Sequence, residues 1–241
     1  MGSESLSRSG KARSAADIAS TEYARATPST SSAESPVNIL SAPDAARVAG
    51  LIRRRVLDAE LAALIEILAG HRLPLVIAAP ASAADAAGDL LAALDGGRVP
   101  VDLDALGDGA LALLRAASLG AGFAATIRAG SLEEVRDRLQ VAAGAGDDEL
   151  SYLGVVVILD ASGRVVAAHH VRPLALDGQG HVQRLGPAVL AARDARTGQL
   201  EHFAWGVMPE LAARISMKAG DLEADVDRRR VALGHAVSHV S

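Results

Sequence analysis

Leu73-Pro74-Leu75-Val76-Ile77-Ala78-Ala79-Pro80-Ala81-Ser82-Ala83-Ala84-Asp85-Ala86 is the stretch that decides how this chain folds. Its first half is a short, unbroken apolar run. That pattern suits a central strand buried on both faces of a parallel sheet. Ser82 can N-cap a helix reaching about Leu94, and Asp95-Gly96-Gly97 then turns the chain. A strand running almost directly into a helix is half of a βα unit, so the neighbouring segments should supply the rest of an α/β domain.

Upstream, Val48, Leu51, Ile52, Val56, Leu61, Leu64, Ile65 and Leu68 recur at helical spacing from Pro43-Asp44 onward. Leu57-Asp58 is a natural break into two helices, and Gly70 is expected as the C-cap. Downstream, residues 99–103 predict a second strand weakened by Pro100. A helix is expected over 110–118 and a strand over 122–127. Ser131 then opens a helix with Glu134 three residues on, a capping box. The pattern changes near residue 150. Residues 152–159 and 165–171 flank Asp160-Ala161-Ser162-Gly163 and predict a hairpin. The first of these strands should join the sheet of 73–78 and 122–127, with the hairpin 164–172 as an edge and the later strands 188–204 beside it or as a small lobe. A second hairpin is expected over 188–204, then closing helices over 209–217 and from 222 to about 236. Leu200, Phe203 and Trp205 should anchor this part, with Trp205 buried against the last helices. A buried Trp205 would make Trp205→Ala cost about 3–5 kcal/mol.

Composition narrows the function classes. The 241 residues are 50% hydrophobic but only 2% aromatic, so the core must be built from Ala, Val, Leu and Ile. A net charge of −5 gives no basis for nucleic-acid binding. There is no Cys, which removes disulfides, Cys-based zinc sites and Cys nucleophiles. No apolar run reaches the roughly 20 residues of a membrane helix. The N-terminus has no continuous apolar segment of the secretory kind. The expectation is a soluble, cytoplasmic chain without membrane insertion. Residues 1–43, rich in Ser, Ala and Thr, read as a disordered tail. Residues 44–241 read as a single domain with a β/helical extension over about 173–241.

Where the first strand meets its helix, a P-loop would carry G-x-x-x-x-G-K-[ST]. Glycines let backbone N–H groups close on phosphate, Lys adds charge and the hydroxyl binds Mg²⁺. In that frame this chain has Ala79, Ala84, Asp85 and Ala86, so an anion stands at the cationic position. Lys occurs only at Lys11 and Lys218, neither in such a frame. Three segments nevertheless resemble the motor ATPases of type II and type IV secretion and of type IV pili. The first is helix 59–69 leading through Leu75-Val76-Ile77 to the P-loop position. The second is Ala110-Leu111-Ala112-Leu113-Leu114-Arg115-Ala116 followed by Ala124-Ala125-Thr126-Ile127-Arg128-Ala129-Gly130-Ser131. Thr126, Ala129 and Ser131 match that family's histidine box, and Arg128 replaces its histidine. The third is the helix beginning Leu132-Glu133-Glu134-Val135, then strand 153–159 and the return to Arg172.

The resemblance implies an α/β fold, a shortened P-loop-NTPase-like parallel or mixed sheet flanked by helices, with C-terminal β-hairpins and closing helices. It departs from the family between Ala86 and Arg128. That interval is too short for the intervening strands, the acidic box and the Walker B segment, and Gly107-Asp108-Gly109 is the only acidic remnant. The implied function is a non-catalytic homologue acting as a scaffold or regulatory module, with no cofactor and no metal. Its partner would be a protein, a second copy or an intact motor paralogue. Two other classes stand beside it: an ATP-binding motor subunit with an unconventional site, and a small-ligand or signalling module in the C-terminal half.

Asp85 either repels phosphate or is simply a first-turn helix acid favourable to the dipole. Arg128 is either a phosphate sensor or a surface arginine after a strand. Asp102 and Asp104 end a plausible strand as metal-binding mimics or as solvated loop carboxylates. His169-His170 alternate faces of a strand and cannot share one metal. His235 and His239 have metal-pair spacing but lack the acid of H-E-x-x-H. No serine sits in a G-x-S-x-G elbow. Arg53-Arg54-Arg55 and Arg228-Arg229-Arg230 read as solvated helix faces.

Overall fold

Leu75, Ile77 and Ala79 face one hydrophobic core, and Val76 and Ala78 face another. All five residues of this strand, β1 (Leu75–Ala79), are buried. The computed structural model describes residues 42–176 and 178–239, which belong to one compact unit. The expected disordered tail lies outside the described residues, except that helix α1 already begins at Ala42.

Three α/β layers follow from the two-sided burial of β1. Parallel to it run β3 (Ala124–Arg128) on one side and β4 (Val155–Leu159) on the other. β2 (Pro100–Asp102) pairs in parallel with β3 and forms one edge, where Pro100 costs no ladder bond. Beyond β4, antiparallel β5 (Val165–His170), β8 (Ala188–Arg193) and β9 (Leu200–His202) complete the order β2-β3-β1-β4-β5-β8-β9. A separate ribbon pairs β6 (Ala175–Leu176) with β7 (Val182–Gln183). The seven-stranded sheet is therefore mixed, with a parallel core.

On one face lie α1 (Ala42–Arg53), α2 (Ala59–Gly70), α3 (Ala84–Leu94), α8 (Met208–Arg214) and α9 (Ala219–His239). The other face carries α4 (Leu103–Leu106), α5 (Gly109–Ser118), α6 (Leu132–Ala143) and α7 (Asp147–Leu150). Asp58 makes the break between α1 and α2 by accepting the Leu61 N–H at 3.0 Å as N-cap. Ser131 caps α6 through the Glu134 N–H at 3.1 Å, as the capping box predicts. Glu134, however, takes the N–H of Gly130 at 2.8 Å.

Several expectations are corrected. Gly70 is the last residue of α2 rather than its cap, and the left-handed turn falls on Arg72, with φ of 63°. Strands 188–204 lie beside the hairpin over 164–172, the first of the two expected placements, so β8 covers β5 and β9, not the hairpin, is the sheet edge. Ser82 makes no capping bond; α3 is entered through a 3-10 turn. Trp205 is 46% exposed rather than buried. Its indole N–H donates to Glu60 Oε1 at 3.2 Å, which holds the ring at the surface beside α2. With nearly half of the residue left in water, Trp205→Ala should cost about 1 kcal/mol rather than a core penalty.

Two arginines tie loops to the sheet by donating to carbonyls. Arg193 donates from Nε to Val165 and from Nη1 to Gly198, both at 2.6 Å, and from Nη2 to Val56 at 3.1 Å. Arg98 donates from Nη1 to Leu73 at 3.0 Å and to Phe123 at 2.8 Å, closing the entry ends of β1 and β3.

Two histidines give the fold opposite pH dependences. His202 on β9 meets Asp58 at 2.8 Å and has Glu60 at 3.7 Å. The hydrogen bond to Asp58 raises the His202 pKa above 6.5, against the opposing effect of burial. Burial pushes Asp58 up, but the His202 hydrogen bond and the Leu61 N–H leave it below its ordinary value. Arg193 is a further charged group near Asp58. His170 on β5 is buried, and burial lowers its pKa to about 4, helped by the Arg214 charge and opposed by the Gly154 carbonyl and Glu210. A raised histidine stabilises fully below its unfolded pKa and loses that contribution as pH rises through the folded value. A depressed histidine stabilises above its unfolded pKa and loses it as pH falls. We predict a stability maximum near pH 6.5, the unfolded histidine value common to both. Urea melts from about pH 5 to pH 8 should show it. His202→Gln should flatten the alkaline side and His170→Phe the acid side.

Candidate functional site

Ala79 and Arg128 are paired in register at the carboxyl ends of adjacent parallel strands, β1 and β3. The helix after β1, α3, returns across one face of the sheet through Leu90 and Leu91. The helix after β3, α6, returns across the other through Val135 and Leu139. Connections leaving neighbouring strands toward opposite faces define a topological switch point, where open α/β sheets form their ligand crevice. The structure thus brings Ala79 and Arg128, 49 positions apart in sequence, side by side at that switch point.

The crevice is closed on the β1 side. Pro80 leads straight into the 3-10 turn Ala81–Ala83, which runs into α3. The Ala83 N–H donates to the Pro80 carbonyl at 2.9 Å, and the Ala84 N–H bonds the Ala81 carbonyl. Ala129 N–H donates to the Ala79 carbonyl at 3.0 Å. The amides of Ala83, Ala84 and Ala129 are therefore used inside the protein. A phosphate nest also needs left-handed backbone. Among the described residues, no positive φ falls between Arg72 and Gly96. Ala79 is buried, while Ala84 and Asp85 are exposed. Ala86 is half-buried beneath the β4–β5 turn. Gly163 of that turn has φ of 77°, and a Cβ there would stand 2.7 Å from the Ala86 Cβ.

On the β3 side, Arg128 is partnered. Its backbone N–H donates to Asp104 Oδ2 at 2.7 Å, and its Nε lies 3.7 Å from the same oxygen. Asp104 Oδ1 also accepts from Arg138 Nη1 at 3.2 Å, and Arg138 Nε reaches Glu134 Oε1 at 3.3 Å. The Gly130 N–H and Arg138 hold Glu134 below the usual carboxylate range. Asp102 accepts the Asp104 N–H at 3.0 Å and so caps α4. Two guanidiniums already neutralise Asp104, so this pair of aspartates is a structural latch.

Other candidates separate. His169 is half-buried and His170 buried, on successive positions of β5. His235 is exposed on α9, and the His239 side chain lies outside the described residues. Among the described residues, no group of three or more His, Asp or Glu side chains is close enough to hold a metal. The Asp58–His202 contact joins residues 144 positions apart. It has no local signature, and sequence reading missed it for that reason.

No protein-family model matches the chain, and no curated protein matches it.

Asp104 ties β3, α4 and α6 together, whereas Arg128 contributes an exposed ion pair. Asp104→Ala should therefore cost about 1.5–3 kcal/mol, the range for hydrogen bonds to a charged acceptor. Arg128→Ala should cost under about 1 kcal/mol. Paired urea melts check the order, and equal losses would show that the latch is assigned to the wrong residue.

Proposed function

We propose that this chain is a non-catalytic relative of the secretion and pilus motor ATPases, using an α/β frame for protein contacts instead of nucleotide turnover. One observation supports the reading. Ala79 and Arg128, which the resemblance sets at two landmark positions of that family, are far apart in sequence and pair at the switch point of the sheet. Every group that would do chemistry there is replaced. The β1–α3 turn spends the Ala83 and Ala84 amides internally, Asp85 carries the wrong charge, and Arg128 answers Asp104.

A carboxylate at the lysine position raises the energy of a triphosphate instead of lowering it. Ala86 has no hydroxyl, so the turn lacks the Mg²⁺ ligand that a P-loop supplies at that position. The remaining asset of the frame is its surface. The reading therefore assigns the chain a scaffold or regulatory role, with a second copy or an intact motor subunit as the partner.

Calorimetry with ATP–Mg²⁺, run beside a phosphate-release assay, tests this reading. The expected result is no Mg²⁺-dependent heat and no turnover. Saturable Mg²⁺-dependent binding that is abolished by Asp85→Arg, or any turnover, would overturn it.

A further inference from the structure

A cleft of about 260 Å³ opens beside the closed turn, between the end of α1, the first turns of α3 and the β4–β5 turn. Arg54 and Val56 line it from the segment after α1, Ala86 and Asp89 from α3, and Gly163 and Arg164 from the hairpin turn. Three separate elements thus meet around it. Its volume lies below the usual range for drug-sized ligands, about 300–1,000 Å³, so it suits a small group.

The charges in the cleft are unsatisfied. Arg54 and Arg164 are exposed, and no carboxylate lies within 4.0 Å of either guanidinium among the described residues. Asp89 likewise has no ion pair there. Arg193 stands nearby, and after burial the Arg164 charge is the next influence lowering its pKa. The donors of Arg193 go to carbonyls, and the charges of Asp160 and Asp58 offset its own in part. Asp160 is held within its own turn. Its Oδ1 takes the Ser162 hydroxyl and the N–H groups of Ser162 and Arg164. The first turn of α3 adds the positive end of an eleven-residue helix.

We propose that this cleft binds a small phosphate-bearing molecule, with Arg54 and Arg164 clamping the phosphate. A phosphate group carries about −1.5 to −2 charges and three strong acceptor oxygens, enough to engage two separate guanidiniums. A carboxylate carries a single charge and only two acceptor oxygens, so it spans two guanidiniums less well. Asp89 instead accepts a hydrogen bond from a hydroxyl, either P–OH or one next to the phosphate. Gly163 keeps the cleft's floor tight, since its close approach to Ala86 sets the distance between the hairpin turn and α3. The site lies outside the β1–α3 turn and needs no Mg²⁺, so it stands independently of the proposed function.

Inorganic phosphate without Mg²⁺ is the probe, read by calorimetry and by amide chemical shifts. Saturable binding is expected, with shifts at Ala86 and Gly163. Arg54→Gln and Arg164→Gln should each weaken it by about tenfold, the loss of one charge-assisted contact. Arg196→Gln, a surface change elsewhere, should leave it unchanged. Absence of saturable binding, an equal loss in Arg196→Gln, or acetate binding as tightly as phosphate would overturn the assignment. The amide shifts keep the test decisive even if one variant folds poorly. Failure here leaves the ATP–Mg²⁺ result untouched. Conversely, ATP binding that disappears in Arg54→Gln but persists in Asp85→Arg belongs to this cleft.

Discussion

The parallel pairing of β1 with β3 on one side and β4 on the other is the constraint on which the structure depends. A strand buried on both faces must satisfy every N–H and C=O through its neighbours, because water cannot reach them. The register runs from Leu75 with Ala124 and Val155 to Ala79 with Arg128. Shifting it by one residue would exchange the two cores, since alternate side chains face opposite layers. Close backbone approach fixes the register further. Gly154 sits with φ of 70°, and a Cβ there would lie 2.4 Å from the Pro74 carbonyl oxygen. Entry into β4 therefore requires glycine at that position.

An almost aromatic-free composition has a structural consequence. Among the described residues, Phe123 is the only aromatic side chain in the buried hydrophobic set. The rest of both cores is aliphatic, with Ala at many contact points, as in α2, where nine consecutive residues from Leu61 to Ala69 are buried. Small side chains let helices approach the sheet closely, and dispersion from many short contacts replaces the large payload of aromatic rings. Glu66 within that buried run faces Arg229 of α9 at 3.6 Å, so even the buried charge serves the same helix contact. The sole Trp and Phe203 are left partly exposed near β9, which is why anchoring the C-terminal strands falls to Leu190, Met208 and Leu211 instead.

Much of this was legible in the sequence because it is local. Unbroken apolar runs gave β1 and β4, the Asp160–Gly163 turn gave the β4–β5 hairpin, and Ser131 with Glu134 gave the start of α6. What could not be read depends on distant partners. The outer position of β9, the surface placement of Trp205 by Glu60, and the contact of His202 with Asp58 each join segments more than a hundred residues apart or require the strand order. The candidate site divides the same way. That Ala79, Ala84, Asp85 and Ala86 supply none of the glycines, lysine or hydroxyl a P-loop needs is visible in the sequence. The closure of the turn by its own amides and the capture of Arg128 by Asp104 emerge only when β1, β3 and α4 are assembled. The cleft beside them escaped sequence reading because Arg54 lies in an arginine run that resembles an ordinary solvated face.

A closed switch point makes a specific statement about the amides of Ala83, Ala84 and Ala129, whose hydrogens bond carbonyls of Pro80, Ala81 and Ala79. Residue-resolved hydrogen exchange, with and without ATP–Mg²⁺, tests it most directly. The account predicts slow exchange at these three amides, with rates the nucleotide does not change. Fast exchange in the free protein, or protection that appears only with ATP–Mg²⁺, would mean that the turn opens to form a phosphate cradle and would contradict the account.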